Sequence, residues 1–495
     1  MSFKGIRFAQ PATGPLRWEP PVPFASTAVQ NATALPPACI QQFAFAGAAL
    51  SEFLFNTPPP TEAEDCLFLN VWAPAPKAKD LPVLVWIYGG SAFGTASLPT
   101  YDGTSFAANQ DIIIVTFNYR TNVFGFPGSP DLPLAANNLG FLDQELALLW
   151  VQLNIAQFGG DPKKVTIMGQ SAGSQSVSSA IARHSPGRAP FRAAIMLSGA
   201  QTSMSPIPSF TSFNNFSTAV GCTQTPGAAR LACLRQVPAS VIRNFTNGPT
   251  SGAFEPVVDN ITVFSDPLTR IRTGLTARVP FIIGNMQNDG SLFAVGLTDL
   301  AAFLDETTFG LVTPAEVRPL YPGLNDSLII SEIIKDVAFL WLPRGALERR
   351  RRGCGGDQRV PVRLWHVSRL TMFFITQLRP HAGAIFADLQ LFPGAGAWHS
   401  SELPEIFGTF NPATATAAEV ALSHTMQTLV AGFIKNPTHS PAANWPNYVP
   451  GSKTTTLAKL AYNGNVDANN VVQAVESDSI DGPCSLWSAF LDIRE

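Results

Sequence analysis

One short stretch, VTIMGQSAGSQSV at residues 165–177, limits the possible folds more than any other part of the sequence. An apolar run enters Gly-Gln-Ser-Ala-Gly, and small residues compatible with a helix follow it. Glycines on both sides of Ser171 allow a reversal in which a Cβ would collide with the neighbouring backbone. The pattern predicts a buried strand over Val165–Met168, a tight turn and a helix over Ser171–Arg183. A serine at such an apex is strained and exposes its hydroxyl above the sheet, which is typical of a nucleophile.

The rest of the chain alternates between strand-like and helical patterns, which predicts βαβ units and a mainly parallel sheet. Leu139–Gln157 has the clearest helical periodicity. Residues 205–275 are rich in Ser, Thr, Asn and Pro, so they predict loops and short helices inserted into one domain that spans residues 1–495. The predicted strands are Leu81–Tyr88, Asp111–Asn118, Val165–Met168, Ala193–Leu197, Pro280–Ile283 and Val360–Val367.

Composition excludes several classes of function. Charged residues make up 14% of the chain and the net charge is -3, so no basic surface for nucleic acid is indicated. The one basic run, Arg349–Arg352, lies among glycines and is interpreted as an exposed loop. No uninterrupted apolar stretch reaches the length of a membrane span. Metal-ligand spacings are absent from the sequence, so we expect no metal and no cofactor.

The cysteines favour a secreted protein. Two of the possible pairs are close in sequence, namely Cys39 with Cys66 and Cys222 with Cys233. The chain opens without an apolar signal segment, so we expect the secretion signal to lie outside it. Five N-x-S/T sequons give weak further support for export; they begin at Asn31, Asn215, Asn244, Asn260 and Asn325.

A nucleophilic serine needs donors for the oxyanion that forms when it attacks a carbonyl. The predicted strand in VLVWIYGGSAFG, residues 83–94, breaks at Gly89-Gly90-Ser91, where main-chain N–H groups can approach a substrate. The N–H of Ala172, directly after the serine, is a further candidate. The alternative interpretation of the same glycines is an ordinary turn after a strand.

The sequence defines the general base and the acid that would activate Ser171 less sharply than it defines the serine itself. His366 lies in a strand pattern and His424 in a helical one, whereas His399 lies in a small-residue loop, GAGAWHSSELP, and is the best candidate base. Asp289 follows a predicted buried strand and is the candidate acid, although an Asn-Asp-Gly turn is also common for conformational reasons. The six histidines are His184, His366, His381, His399, His424 and His439.

Seven blocks of the sequence match one known family in order and in length. They are FKGIRFAQPATGPLRWEPP, EDCLFLNVWAP, WIYGGSAFG, NYRTNVFGFPGSP, NNLGFLDQELALLWVQLNIAQFGGDPKKVTIMGQSAGS, GNMQNDGSLF and GAWHSSELPEIFG. Through these blocks the chain resembles the type-B carboxylesterase, fungal lipase and cholinesterase family over nearly its whole length. The resemblance implies an α/β-hydrolase fold with insertions over the active site. It also implies Ser171 as nucleophile, Asp289 as acid and His399 as base, oxyanion donors from Gly90, Ser91 and Ala172, and disulfides Cys39–Cys66 and Cys222–Cys233.

The chain departs from the family pattern at several positions. Asp289 stands where the family usually has glutamate, Ser91 replaces a third glycine, and Gln170 replaces a glutamate beside the nucleophile. The amino-terminal hairpin of the family is expected to be missing, and pairing of Cys354 with Cys484 stays open. The expected activity is hydrolysis of small-molecule or lipid esters, with contact to a lipid surface as an open alternative. A non-catalytic adhesion or binding protein of the same fold is the alternative from another class.

Overall fold

The structure is a computed structural model that describes residues 1–44, 48–74, 79–200, 207–341, 370–375, 395–442, 444–447, 454–461, 470–476 and 486–487. The chain divides into two compact units. The first comprises Met1–Ala194 and Gln201–Arg278, and the second comprises Ile195–Ala200 and Val279–Glu495. A single domain over residues 1–495 stays a prediction.

The strands of the first unit are ordered β1-β2-β4-β3-β5. Strand β3 pairs in parallel with both β4 and β5, whereas β1 and β2 form an antiparallel edge beside β4. The central β3 and β4 are apolar and buried over most of their length, as expected for strands covered on both faces. The bounds are β1 Ser2–Arg7, β2 Phe68–Trp72, β3 Leu81–Ile87, β4 Ile113–Phe117 and β5 Gly160–Gln170.

The helices of the first unit pack over aromatic clusters. One cluster gathers Trp18, Phe213, Phe216 and Phe254, so residues of the segment 205–275 contribute directly to the core of this unit. That segment forms four helices of 6 to 9 residues, as the prediction of short helices expects. The bounds are α1 Ala48–Phe55, α2 Thr104–Gln110, α3 Asn122–Gly125, α4 Leu139–Asn154, α5 Ala172–Arg183, α6 Thr211–Ala219, α7 Ala228–Gln236, α8 Ala239–Thr246 and α9 Pro267–Arg272.

The remaining strands are ordered β6-β7-β8-β9-β10, and all of them except Ala193 and Ala194 of β6 belong to the second unit. Strands β7, β8 and β9 are parallel and β10 is antiparallel to β9. A π-helix, Lys335–Trp341, continues directly from α12. The strands are β6 Ala193–Leu197, β7 Phe281–Met286, β8 Leu370–Ile375, β9 Leu457–Leu460 and β10 Val472–Val475, and the helices are α10 Leu300–Thr308, α11 Pro314–Val317, α12 Asp326–Ile334, α13 Leu403–Phe407 and α14 Ala417–Lys435.

Several predicted elements are confirmed, with shifted ends. Strand β6 has the predicted bounds, β5 begins five residues before the predicted Val165, and α4 ends at Asn154 and continues as a 3₁₀ turn to Phe158. The predicted strand Val360–Val367, the run Arg349–Arg352, and Cys354 and Cys484 lie outside the described residues. No helix in the described ranges combines the length and apolar character needed to cross a membrane.

Two disulfides close loops of the first unit. Cys39–Cys66 encloses α1, and Cys222–Cys233 joins the end of the α6 region to α7. Both are the pairs that the family resemblance implies. Cys39, Cys66 and Cys222 are almost fully buried.

A buried pair of carboxyl groups, Glu405 of α13 and Glu419 of α14, makes the stability of the second unit depend on pH. Burial, and then the charge of Glu419, raises the pKa of Glu405 to about 8. A carboxyl whose pKa is raised by folding stabilises the fold fully below its unfolded pKa of about 4.3 and loses that contribution as pH rises through 8. We therefore expect Glu405→Gln to raise the Tm by about 2–5 °C at pH 9.

The same substitution should change the Tm little at pH 5, where Glu405 is protonated in the folded protein. Glu306→Gln, an exposed change on α10, serves as the control for loss of one carboxyl group. Thermal unfolding followed by circular dichroism across pH 5 to 9 measures both variants. A Glu405→Gln variant that is less stable than wild type at pH 9 would contradict the prediction.

Candidate active site

Ser171 occupies a sharp turn between β5 and α5. Its backbone has φ 56° and ψ −126°, a conformation that non-glycine residues rarely adopt and that costs about 1–3 kcal/mol. A Cβ on Gly169 would lie 2.3 Å from the carbonyl oxygen of Gly173, so no larger residue fits at this crossing. Helix α5 begins at Ala172. Its first N–H groups therefore lie next to the serine, where the helix dipole favours negative charge.

The end of β3 packs directly against this turn. A Cβ on Gly173 would lie 2.1 Å from the carbonyl oxygen of Ile87, and a Cβ on Gly89 would lie 2.8 Å from Cβ of Ser171. These close approaches bring the glycine-rich loop, residues 89–94, against the serine. Within it Gly90 has φ 99° and Ser91 has φ 56°. The loop therefore starts beside Ser171 at Gly89, Gly90 and Ser91 follow in the same loop, and Ala172 directly follows the serine in the chain.

Asp289 and His399 form a buried hydrogen-bonded pair in the second unit. His399 Nδ1 lies 2.8 Å from Asp289 Oδ1, and both side chains are almost fully buried. The other carboxylate oxygen, Oδ2, accepts from the Ser198 hydroxyl at 3.0 Å and from the Met286 N–H at 2.8 Å. Three groups thus fix the orientation of the carboxylate, and its Oδ1 is directed at the imidazole.

The loops that carry the acid and the histidine are tied to each other. Asn288 N–H donates to the carbonyl of Ala397 at 3.0 Å, and the Ala397 N–H donates to Asn288 Oδ1 at 3.1 Å. Ser291 Oγ donates to the carbonyl of Ala395 at 2.7 Å. This pairing holds the two loops close together. Asp289, whose side chain is shorter than the glutamate usual in the family, therefore reaches the imidazole at normal hydrogen-bond distance.

A second carboxyl group, Glu402, lies close to this pair. Burial, and then the charge of Asp289, raises the pKa of Glu402 well above its ordinary value. Neither carboxyl oxygen of Glu402 has a hydrogen-bond partner among the described residues. Burial thus favours the neutral form of the Glu402 carboxyl over its charged form.

Two phenylalanines cover the imidazole of His399. The ring of Phe339, on the π-helix, lies 4.6 Å from the His399 ring between centroids, and the ring of Phe293 lies 5.0 Å from it in an edge-on arrangement. Phe293 is 46% exposed. The surroundings of His399 are therefore apolar on this side, with one aromatic face open to solvent.

The other described histidines have different surroundings. His184 contacts Glu145, while His424 is exposed on α14 and His439 is exposed in a loop. His366 and His381 lie outside the described residues. Sequence reasoning missed Ser198, Asn288 and Glu402. Ser198 could have been found from its position at the carboxyl end of the buried run 193–197, by the rule that selected Asp289.

Comparisons with known proteins agree with this architecture. A model described as the carboxylesterase family matches residues 1–346. The chain is 38% identical to mouse (Mus musculus) cholinesterase over 312 residues, which cover 59% of this chain and 51% of that protein. It is 32% identical to secreted lipase 1 of Botryotinia fuckeliana (strain B05.10), with 92% of this chain and 85% of that protein covered. A solved structure of PNB esterase superposes with a TM-score of 0.74 at 28% identity, covering 98% of this chain and 95% of that one.

The fold is an α/β-hydrolase fold, with a large, mostly parallel sheet flanked by helices, and this prediction is confirmed. The chain belongs to the carboxylesterase family. It is accordingly a carboxylic ester hydrolase. The individual roles of Ser171, Asp289 and His399 stay predictions.

Proposed function

We propose that the chain hydrolyses neutral carboxylic esters through Ser171 as nucleophile, His399 as base and Asp289 as the acid that orients the base. The observation that carries this proposal is the buried hydrogen bond of 2.8 Å between His399 Nδ1 and Asp289 Oδ1. A carboxylate at Nδ1 leaves Nε2 as the proton acceptor, which is the tautomer that a serine nucleophile requires. The strained turn at Ser171 supports its role as the nucleophile.

The chemistry follows from these roles. His399 Nε2 takes the proton of Ser171 Oγ while Oγ attacks the ester carbonyl carbon, and the carbonyl electrons move to the oxygen. The resulting oxyanion accepts hydrogen bonds from the N–H groups of Gly90, Ser91 and Ala172. His399 returns its proton to the departing alcohol, which leaves an acyl group on Ser171. Water then repeats the sequence and releases the acid.

Partitioning of the acyl group between methanol and water tests whether hydrolysis passes through an acyl-enzyme. The purified chain, with its disulfides intact, is given p-nitrophenyl butyrate or phenyl butyrate in the presence of methanol. If both esters pass through one acyl group on Ser171, the ratio of methyl butyrate to butyrate is the same for the two leaving groups. A ratio that depends on the leaving group would contradict a common intermediate.

We expect the enzyme to prefer neutral esters over choline esters. Recognition of a quaternary ammonium needs an aromatic face, best supplied by tryptophan, and nearby negative charge increases the attraction. The loop 39–66 contains phenylalanines but no tryptophan, and the residue beside the nucleophile is the neutral Gln170. A missing cation–π contact of about 1–2 kcal/mol reduces selectivity for choline about five- to thirtyfold.

The measurement compares kcat/KM for butyrylcholine with that for 3,3-dimethylbutyl butyrate, its uncharged isostere, at two ionic strengths. The expected result is a neutral ester that is used at least as well as the choline ester. A choline ester that is preferred at least tenfold, with an advantage that fades as salt increases, would show that a cation site exists.

We also expect a preference for medium or long acyl chains, with the loop 39–66 as a lid. Phe53 of α1 is 66% exposed, and Phe43 and Phe55 of the same loop stack on Phe93 of the glycine-rich loop. Each additional buried methylene contributes about 0.8 kcal/mol, so kcat/KM should rise about fourfold per methylene until the apolar surface is filled. p-Nitrophenyl esters from acetate to laurate, with and without an emulsion, measure this.

Phe53→Ser should weaken the gain at the emulsion, because it removes an exposed apolar side chain from the lid. Phe309→Ser is the control, since Phe309 is also an exposed phenylalanine, at 77%, but lies in the loop after α10. Strict preference for acetate, with no gain at the emulsion, would reject the lid.

The protein is further proposed to act outside the cell. The two disulfides and the similarity to a fungal secreted lipase support this proposal. Expression of the full-length gene product with a tag, followed by assay of medium and cell fractions, tests it. Activity confined to the cell fraction would contradict it.

A further inference from the structure

The disulfide loop Cys39–Cys66 holds the glycine-rich loop 89–94 through contacts that the reaction scheme does not use. These contacts come from the first residues of the disulfide loop and from the end of α1. They converge on the exit of the glycine-rich loop, at Phe93 and Gly94. Its entry, at Gly89, is held separately by the turn at Ser171.

Gln41 makes the central contact. Its side chain is fully buried, its Oε1 accepts the N–H of Gly94 at 3.0 Å, and its Nε2 donates to Asn56 Oδ1 at 2.8 Å. Asn56 follows directly after α1. The amide of Gln41 therefore links the end of α1 to the exit of the glycine-rich loop, with both of its polar atoms bonded. The main-chain carbonyl of Gln41 also accepts from Asn247 Nδ2 at 2.9 Å, which fixes the position of the residue itself.

The glycine-rich loop has little freedom to adjust around this bond. Gly94 has φ 102°, and a Cβ on it would lie 2.2 Å from the carbonyl oxygen of Gly89. Phe93 N–H donates to the carbonyl of Gly90 at 3.2 Å, which closes the loop on itself. Gly94 and Phe93 are thus in contact with the main chain of Gly89 and Gly90, which adjoins the N–H groups of Gly90 and Ser91.

Aromatic packing supports the same point of the loop. The ring of Phe93 stacks on Phe43 at 4.9 Å and lies 6.1 Å from Phe55, with interplanar angles of 27° and 26°. Such packing fixes the side chain of Phe93, and the carbonyl of Ala92 before it accepts from the Gln42 N–H at 3.1 Å and from Asn122 Nδ2 at 3.2 Å. The next peptide unit, Phe93–Gly94, carries the N–H that donates to Gln41. The directional bond from Gly94 to Gln41 supplies the constraint that packing lacks.

We infer that Gln41 is a positioning residue for ester hydrolysis, which aligns the N–H groups of Gly90 and Ser91 with the oxyanion by fixing Gly94. This inference rests on the proposed function, because the two N–H groups matter only if they stabilise the oxyanion. Loss of one oxyanion donor costs about 10²–10³ in kcat, so misalignment of two donors should cost about 10- to 100-fold.

The test is Gln41→Met, which keeps the length of the side chain and removes both hydrogen bonds. The expected result is a 10- to 100-fold fall in kcat for p-nitrophenyl butyrate, with KM within about twofold. Binding of an alkyl trifluoromethyl ketone should weaken by the same factor as kcat/KM. Addition of Ser171 Oγ to that ketone places the carbonyl electrons on an oxyanion and the serine proton on His399, so its affinity reports the oxyanion donors.

Gln152→Met is the matched control. The Gln152 amide of α4 donates to the carbonyls of Pro162 and Pro190 at 2.8 and 2.9 Å, so the same substitution removes two hydrogen bonds elsewhere in the first unit. It should lower the Tm but change neither kcat nor ketone affinity. A Gln41→Met variant that behaves like Gln152→Met, or that raises KM alone, would overturn the inference.

The same measurements distinguish failure of the inference about Gln41 from failure of the proposed function, and a second variant covers the case in which Gln41→Met does not fold. If wild type neither hydrolyses esters nor binds the ketone, the proposed function fails together with the inference. If Gln41→Met does not fold, Asn56→Ala replaces it, because it removes the partner that orients the Gln41 amide and leaves the bond to Gly94. A parallel loss of kcat and ketone affinity, about threefold or more, supports the inference there, and unchanged values of both overturn it.

Discussion

Ser171→Ala should lower kcat for p-nitrophenyl butyrate by about 10⁵–10⁶, which leaves only the weak hydrolysis that oxyanion donors and substrate binding provide. His399→Ala should have a similar effect, and the double variant should be no slower than either single variant. The reason is that nucleophile and base act as one unit, so removal of either abolishes attack by the serine oxygen.

Ser178→Ala is the control for this series, since Ser178 lies on the same helix, α5, without a proposed role. Steady-state rates measured on folded protein with intact disulfides give the comparison. Turnover within tenfold of wild type in either Ser171→Ala or His399→Ala would remove that residue from the mechanism.

Asp289→Asn should reduce kcat by about 10³–10⁴, because the amide reverses the polarity at the imidazole. In the wild type, Asp289 Oδ2 accepts hydrogen bonds from Ser198 Oγ and from the Met286 N–H. Because both groups are donors, the side-chain oxygen of an asparagine at this position should face them. Its NH₂ group then faces His399 Nδ1 and donates to it. The imidazole proton moves to Nε2, where it prevents acceptance of the serine proton.

Ser198→Ala separates this effect from general damage to the carboxylate site. It removes one of the two donors to Oδ2 and leaves the carboxylate on Nδ1, so we expect a loss of tenfold or less in kcat. A silent Asp289→Asn variant, measured beside a Ser198→Ala variant of normal stability, would show that another carboxylate orients His399.

Local patterns in the sequence predicted those elements that are buried on both faces. The run 193–197 is apolar without interruption, and β6 has the predicted bounds. Strand β5 extends back to Gly160 through polar residues, because its pairing with Leu81 of β3 outweighs the low strand propensity of Asp161 and Pro162. The edge strands β1 and β2 were not predicted, since they are short and their pairing joins residues far apart in sequence.

The candidate site was only partly predictable for a related reason. Gly169, Ser171 and Gly173 are adjacent in sequence, so their conformation is a local property that a motif records. The roles of Ser198 and Glu402 depend on which residues surround them in the folded chain. The raised pKa of Glu402 arises from burial and from the charge of Asp289, which is more than 100 positions away in the sequence. Patterns of spacing do not encode such contacts.

The central claim, that Ser171 is the nucleophile and depends on His399, is tested most directly by covalent labelling with a fluorophosphonate followed by peptide mapping. Tryptic cleavage after Lys164 and Arg183 yields the peptide Val165–Arg183, and fragmentation distinguishes Ser171 from its other serines. The predicted result is one phosphonyl group per chain, located at Ser171, with labelling abolished in His399→Ala. An adduct at another residue, or no adduct in folded wild-type protein, would contradict the claim, and the second result would favour a non-catalytic binding protein.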